Sequence, residues 1–264
     1  MALLAMAVYD TVENKRSDFT CETLDSLIDT VDFKKHRLII IDNASCEETQ
    51  RIFKRVIRNA EWYKLNITVI HMPSNVGTAN AINEALRLRE AGEYAIKLDN
   101  DVVFHKTGWV DEMEDVIDRM PKIGVLGLKR KDVCESTYAL NPDQRSRLLE
   151  VPHHPGEKWY VVEQCRQVMG TCTMLNFRML EKVGYFYQMD GLYGFDDSLM
   201  CVRSSKAGYT NCFMHGIEID HIDPGGTEYT DWKNKYAHEM IGKYAEVERM
   251  YNNGSKSIYY NPFG

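Results

Sequence analysis

The chain opens on an apolar run, Met1 to Val8, and three more follow: Leu38 to Ile41, Ile67 to Ile70 and Tyr94 to Leu98. Short continuous runs of this kind are what a strand covered on both faces requires. Between them the apolar positions change period. Cys21, Leu24, Leu27, Ile28 and Val31 fall at helical spacing, as do Ile52, Phe53, Val56 and Ile57, and then Ala79, Ile82 and Leu86. Each of the first three strands is therefore followed by a predicted helix, the third ending near Gly92. This alternation predicts an α/β fold, a Rossmann-like and mostly parallel central sheet with helices on both faces. In such sheets ligands bind outside the carboxyl ends of the strands. Asp10, Asp42, Asn75 and Asp99 lie just past those ends, so four polar side chains are expected to converge on one edge.

The second half is less regular. Trp109, Val110, Met113, Val116, Ile117 and Met120 predict a helix with Trp109 in the core, and Ile123 to Leu128 a strand. From Lys129 to Gly156 no periodicity is sustained and prolines begin at Pro142, so an irregular insertion is expected. Val161-Val162 and Thr171 to Phe177 read as strands of a small second mixed sheet, and Met179 to Val183 as a short helix closed by Gly184. Leu199, Cys201, Val202 and Ala207 predict a helix, and Thr210 to Met214 and Ile217 to Ile219 short strands. Trp232, Tyr236, Met240 and Tyr244 share one face of a C-terminal helix. No repeat or linker interrupts the pattern, so a single domain over 1–264 is expected, with halves 1–128 and 129–228 and a helix and tail over 229–264.

The fourth strand ends in Leu98-Asp99-Asn100-Asp101. Strand alternation would aim Asp99 and Asp101 one way and Asn100 the other. Two like charges so close repel unless a cation joins them. A hard divalent ion satisfies both, since Mg²⁺ characteristically takes one or two carboxylates together with phosphate oxygens. Taken alone, the same three residues also suit a solvated turn.

Several stretches, in this order, resemble the family 2 glycosyltransferases of the GT-A (nucleotide-diphospho-sugar transferase) fold over about residues 3–222. They are Ile41-Asp42-Asn43-Ala44-Ser45, Asn75-Val76-Gly77-Thr78-Ala79, Leu98-Asp99-Asn100-Asp101 and Gly170-Thr171-Cys172-Thr173. Leu180-Glu181-Lys182-Val183-Gly184-Tyr185-Phe186, Gly194-Phe195-Asp196-Asp197, Cys201-Val202-Arg203 and Lys206-Ala207-Gly208-Tyr209 complete the set. The resemblance implies inverting transfer of a sugar from a nucleoside diphosphate donor, a UDP-sugar foremost, with Mn²⁺ or Mg²⁺ on the diphosphate. It assigns donor binding to 1–128, and acceptor binding and catalysis to 129–228. Donor contacts would come from Val8, Asp10, Asp42, Asn75, Gly77, Lys97, Asp99 and Asn100. Asp42 would accept from the base, a role compatible with capping the next helix. Asp10 stands where another polar residue is more usual. Gly77 would let backbone approach the nucleotide, or simply make a tight turn. Lys97 would neutralise phosphate, or be a solvated strand residue. Asp101 would be the direct metal ligand, with Asp99 on ribose or a metal-bound water and His221 completing the site. Asp197 would be the general base, because an acceptor hydroxyl needs somewhere to send its proton. Asp196, where Glu is commoner in the family, would contact acceptor or donor sugar. An acidic start complementing a helix dipole is compatible with both.

Composition then narrows the class. Over 264 residues the net charge is −7, which offers no global attraction to nucleic acid or acidic lipid. Seven cysteines without CxxC spacing predict free thiols in a reducing compartment, and no stretch reaches membrane length, so a cytoplasmic location is expected. Two rival classes are a nucleotidyltransferase and a non-catalytic nucleotide-sugar-binding module. The first would carry a glycine-rich basic loop after strand 1, where Tyr9 to Asn14 contains no glycine. Against the second stands the joint presence of Asp99, Asp101 and Asp197. The acceptor stays open among glycan, glycolipid, protein and modified nucleic acid. Arg130, Lys131, Arg145, Arg147, His153, His154 and Lys158 form a local basic bias that suits either an anionic acceptor or a solvated loop. Trp159, Tyr187 and Tyr193 are candidates to stack on a sugar face.

Overall fold

The computed structural model describes residues 1–134, 147–226 and 228–264, so Pro142 and Arg145 lie outside the described residues. In chain order the strands are β1 (Ala2–Val8), β2 (Arg37–Asp42), β3 (Ile67–His71), β4 (Tyr94–Leu98) and β5 (Val102–Val103), then β6 (Ile123–Arg130), β7 (Arg147–Glu150), β8 (Val161–Cys165), β9 (Cys172–Leu175) and β10 (Thr210–His221). The helices are α1 (Ser17–Thr30), α2 (Glu47–Tyr63), α3 (Thr78–Leu86), α4 (Trp109–Arg119), α5 (Lys131–Cys134), α6 (Phe177–Val183), α7 (Asp196–Lys206) and α8 (Glu228–Asn252).

The main sheet runs β3-β2-β1-β4-β9-β6-β10-β8-β7. Its first four strands are parallel, with β1 between β2 and β4 as their apolar sequences require. Alternate residues of β1 feed two cores. Leu4, Met6 and Val8 pack with Leu24 of α1, Phe53 of α2 and Trp109 of α4, whereas Leu3 and Ala5 pack with Ile82 of α3, Met179 of α6 and Met200 of α7. Helices thus cover both faces.

Three expectations need correction. β8 and β9 do not form a second sheet. β9 inserts antiparallel between β4 and β6, and β8 pairs antiparallel with β10, so the second half extends the first sheet and makes it mixed. The separate small pairing is that of β5 with the end of β10. Likewise 210–214 and 217–219 are one strand, broken only by a register shift between Met214 and Glu218. α3 also stops at Leu86, where its apolar period ends, short of the end expected near Gly92.

The chain end is clamped onto α7. Arg203 is fully buried and donates to the carbonyls of Val183, Tyr185 and Ile258. Tyr260 exchanges backbone hydrogen bonds with Val183 and Tyr185, each 2.9 Å, and a Cβ on Gly184 would stand 2.1 Å from the Tyr260 carbonyl. Burial draws the Arg203 pKa down to about 10, so the guanidinium stays charged because those carbonyls solvate it. Losing one buried charged hydrogen bond costs about 1.5–3 kcal/mol. Arg203→Met is therefore expected to lower the urea midpoint markedly and to raise proteolysis first in the segment after Asn252. Equal midpoints for variant and wild type would refute the clamp.

Candidate functional site

The carboxyl ends of β1, β2 and β4 open on a cavity of about 480 Å³. Its wall is built from Val8 and Tyr9 at the end of β1, Thr11, Glu13, Asn14 and Arg16 beyond it, Asn43 after β2, and Asn75 and Thr78 around the start of α3. Asp99, Asn100 and Asp101 follow β4, and Tyr193, Tyr229, Trp232 and Lys233 close the far side. A cleft of this size and mixed polarity suits a nucleotide-sized ligand.

The carboxylates of the wall are sorted by their partners. β4 stops at Leu98, so strand alternation does not reach Asp101. Asn100, expected to point away, lines the same cavity and donates to Asp10 Oδ1 at 2.9 Å. Asp10 is fully buried, accepting also from Thr20 at 2.6 Å and Thr49 at 3.0 Å. Its burial raises its pKa in spite of those donors. Asp10 thus braces Asn100 from outside the cavity wall. Asp42 is equally occupied: Ser45 N donates to it at 2.8 Å, His71 Nδ1 lies at 2.7 Å, and Gln50 donates as well. The neighbouring Asn43 faces the cavity instead, donating to Asn75 Oδ1 at 2.7 Å. Gly77, at φ +89°, stands beside this pair, and Asn75 Oδ1 accepts its N–H at 2.9 Å.

Asp101 meets a cation that the sequence did not advertise. Arg16, buried at the start of α1, donates to Asp101 Oδ2 and, at 2.5 Å, to Asp223 Oδ2. His221 Nε2 lies 3.4 Å from the same Asp101 oxygen. Burial alone would raise the Asp101 pKa, but His221 and Arg16 overcome it and hold the carboxyl far below the usual carboxylate range. The other oxygen, Oδ1, is buried without a hydrogen-bond partner among the described residues.

Lys97 sits on the β4 side of the cavity and is not solvated. Its ammonium lies 3.1 Å from Asp99 Oδ1, 3.0 Å from the Gly170 carbonyl and 3.2 Å from the Asp197 carboxylate. Burial disfavours the charge, yet Asp197 and Asp99 keep the Lys97 pKa well above its ordinary value. Asp196 and Asp197 form the first turn of α7, entered through Phe195 at φ +62°. Burial, then the neighbouring Asp196, push Asp197 up to about 7, with Lys97 pulling the other way. Room for Asp197 comes from Gly170, where any Cβ would stand 1.7 Å from Asp197 Oδ2.

Of the residues singled out by sequence, Val8, Asn75, Asp99, Asn100 and Asp101 line the cavity. Asp197 and His221 reach that wall through Lys97 and Asp101, and Asp196 sits beside Asp197 at the start of α7. Tyr193 lines it too, whereas Tyr187 packs on Tyr251 and Tyr260, and Trp159 is exposed elsewhere. Arg16, Asn43, Tyr229 and Lys233 went unnoticed. Arg16 follows Lys15 and Lys233 stands two positions before Lys235, so sequence does not single them out and only the contacts mark them. Away from the cavity, ligand atoms of His36, Asp111 and Glu114 lie within 4.8 Å of one another. His36 Nδ1 there accepts from the Ala2 N–H, and Lys35 pairs with Asp111, so this cluster carries its own countercharge. Cys21, Cys46, Cys165, Cys172, Cys201 and Cys212 are unpaired.

Comparison with known proteins places this geometry. The chain resembles the mannosyltransferase PcManGT of Pyrobaculum calidifontis, solved with GDP-Man and Mn²⁺, at TM-score 0.61 and 17% identity over 86% of this chain and 58% of that one. TarS (residues 1–349) of S. aureus, solved with UDP-GlcNAc, matches at 0.56 and 17% identity over 95% and 67%. GalNAc-T7, solved with UDP, GalNAc and Mn²⁺, matches at 0.61 and 12% over 84% and 43%. The fold is thus the GT-A fold of these glycosyltransferases, and the chain spans just over half the length of the first of them. It is also 24% identical to the uncharacterized protein y4gI of Sinorhizobium fredii (strain NBRC 101917 / NGR234), over 81% of this chain and 24% of that protein. The family model for glycosyl transferase family 2 matches residues 11–184, more than half of the chain, and the chain belongs to that family.

Proposed function

We propose that this chain is an inverting glycosyltransferase that moves a sugar from a nucleoside diphosphate donor to an acceptor hydroxyl. The observation that carries the reading is the single ammonium of Lys97, which ties Asp99 in the cavity wall to Asp197 on α7 at 3.1 and 3.2 Å. A donor in the cavity then lies beside the one carboxylate whose pKa, about 7, suits proton abstraction near neutrality. Asn43 and Asn75 present amides to the base, with Asp42 fixing their turn from behind. The structural neighbours solved with UDP, UDP-GlcNAc and GDP-Man support a nucleotide-sugar donor, with UDP-sugar first. Asp197 takes the proton of the acceptor hydroxyl as its oxygen attacks the anomeric carbon opposite the departing diphosphate. Asp196, buried alongside, keeps that carboxylate basic. The acceptor is a glycan, a glycolipid or a hydroxylated base in nucleic acid.

The residues fit a divalent cation. Asp101 keeps a buried oxygen without a partner, with His221 beside it and Asp223 across Arg16 as the neighbouring donors, although among the described residues only the ligand atoms of His36, Asp111 and Glu114 already lie within 4.8 Å of one another. Bound on the diphosphate, Mn²⁺ or Mg²⁺ would neutralise the charge that builds as the glycosidic bond breaks. Arg16 supplies the countercharge to Asp101 and Asp223. Among the described residues no helix is long and apolar enough to cross a membrane.

The reading is tested by thermal shift with a panel of nucleotide sugars and Mn²⁺, since a ligand that binds only the folded chain raises its melting temperature. A shift with one donor, followed by its metal-dependent hydrolysis, supports the enzyme. Shift without turnover on any acceptor indicates a binding module, and no shift with any donor overturns both. For Asp197→Asn, transfer is expected to fall by about 10²–10⁴ with donor affinity retained. Because Asp197 works deprotonated and its pKa is about 7, wild-type kcat/KM should decline below that pH, and the residual activity of the variant should lack this limb. Removing one partner of a buried ion pair costs about 3–5 kcal/mol. Arg16→Met is accordingly expected to melt well below wild type in EDTA and to gain more from Mn²⁺ than wild type does. Equal Mn²⁺ shifts in calorimetry would show that Arg16 and the metal do not share Asp101.

A further inference from the structure

The cavity wall holds two cations, and they are in different electrostatic situations. Arg16 is committed: both of its terminal nitrogens are in buried ion pairs with Asp101 and Asp223. Lys233 is not. Among the described residues no carboxylate oxygen lies within 4.0 Å of its ammonium, which instead rests 4.7 Å from the ring centre of Tyr229 and 5.4 Å from that of Tyr193. Burial and the nearby Arg16 lower its pKa, while Asp101, Asp99 and Asp223 pull the other way from beyond ion-pair distance. Tyr229 and Lys233 are one turn apart on α8, so both face the cavity together. α8 lies beyond the residues matched by the family model.

An ammonium kept half-buried against two rings loses hydration and recovers little from them. An anion entering the cavity would restore what is missing. The wall there is otherwise acidic, with Asp99, Asp101 and Glu228, so the anion must be strong enough to compete with the chain's own carboxylates. A diphosphate is.

Building on the nucleotide-sugar reading, we propose that Lys233 is a catalytic residue that grips the donor diphosphate and carries its charge as it leaves. In that step the bond between the anomeric carbon and the diphosphate oxygen breaks with its electron pair on the oxygen. The acceptor oxygen bonds to the carbon and its proton passes to Asp197. Lys233 remains protonated throughout and gives up no proton; its contribution is an oriented charge that strengthens as negative charge accumulates.

The test compares wild type, Lys233→Met and Lys233→Arg by calorimetry with UDP, UMP and uridine, and in parallel with GDP, GMP and guanosine, with and without Mn²⁺. The expected result is a loss on the order of tenfold or more for the diphosphate in the Met variant, consistent with one charged hydrogen bond. The nucleoside should bind unchanged, and Arg should restore most of the loss. In turnover the Met variant should lose kcat as well as donor affinity. Two results overturn the proposal: diphosphate binding equal to wild type, or an equal loss for nucleoside and diphosphate, which marks Lys233 as merely structural. If wild type itself binds none of the six compounds, the donor reading falls and this proposal with it.

Discussion

A buried ammonium surrounded by carboxylates holds the candidate site in register. Lys97 leaves β4 among fully apolar neighbours and, nearly inaccessible to water, bonds to Asp99, Asp197 and the Gly170 carbonyl. Desolvating a charge so completely is tolerable only when partners replace the lost water. The same contacts fix the distance between the end of the parallel sheet and the start of α7. Were Lys97 absent, Asp99, Asp196 and Asp197 would face one another with no cation between them, and like charges that close do not all ionise. The ammonium therefore offsets part of the burial and like-charge repulsion that push Asp197 up to about 7, the balance on which the proposed acid–base chemistry rests.

The opposite wall solves the same problem with Arg16. Its planar fork spans Asp101 and Asp223, one terminal nitrogen to each. Because Asp223 belongs to the segment that leads into α8, this ion pair also joins the first helix to the last part of the chain. The guanidinium lies 5.0 Å from the Tyr229 ring, so the aromatic side of α8 packs directly on the charge network. Occupation of the acidic cluster and the position of α8 are consequently coupled through one side chain.

The aromatic residues of this region form a continuous series. Tyr229, Trp232 and Tyr236 stack along α8 at 5.7 to 5.9 Å, and Tyr193 meets Trp232 at 6.1 Å. Some of this surface remains open, Trp232 being 43% exposed at the cavity rim. Stacked rings at the mouth of a polar cleft present flat apolar faces beside hydrogen-bonding groups, the combination that a sugar ring with one apolar face engages.

Much of this was legible in the chain, for a local reason. Apolar runs and helical periods are properties of neighbouring residues, so the four parallel strands and the helices between them follow from sequence alone, whereas of the polar residues expected at their ends Asn75 and Asp99 line the cavity and Asp10 and Asp42 lie behind it. The tertiary structure decided which charge answers which. Lys97 and Asp197 are 100 positions apart, Arg16 and Asp101 85, Arg16 and Asp223 207. No periodicity encodes such pairs, because they depend on strand order and on the antiparallel insertion of β9 between β4 and β6. The same holds for Lys233: in sequence it is a basic residue on an amphipathic helix, and only the packing of α8 against Arg16 and Tyr193 makes it a cation facing the cavity with no carboxylate of the described residues within ion-pair distance.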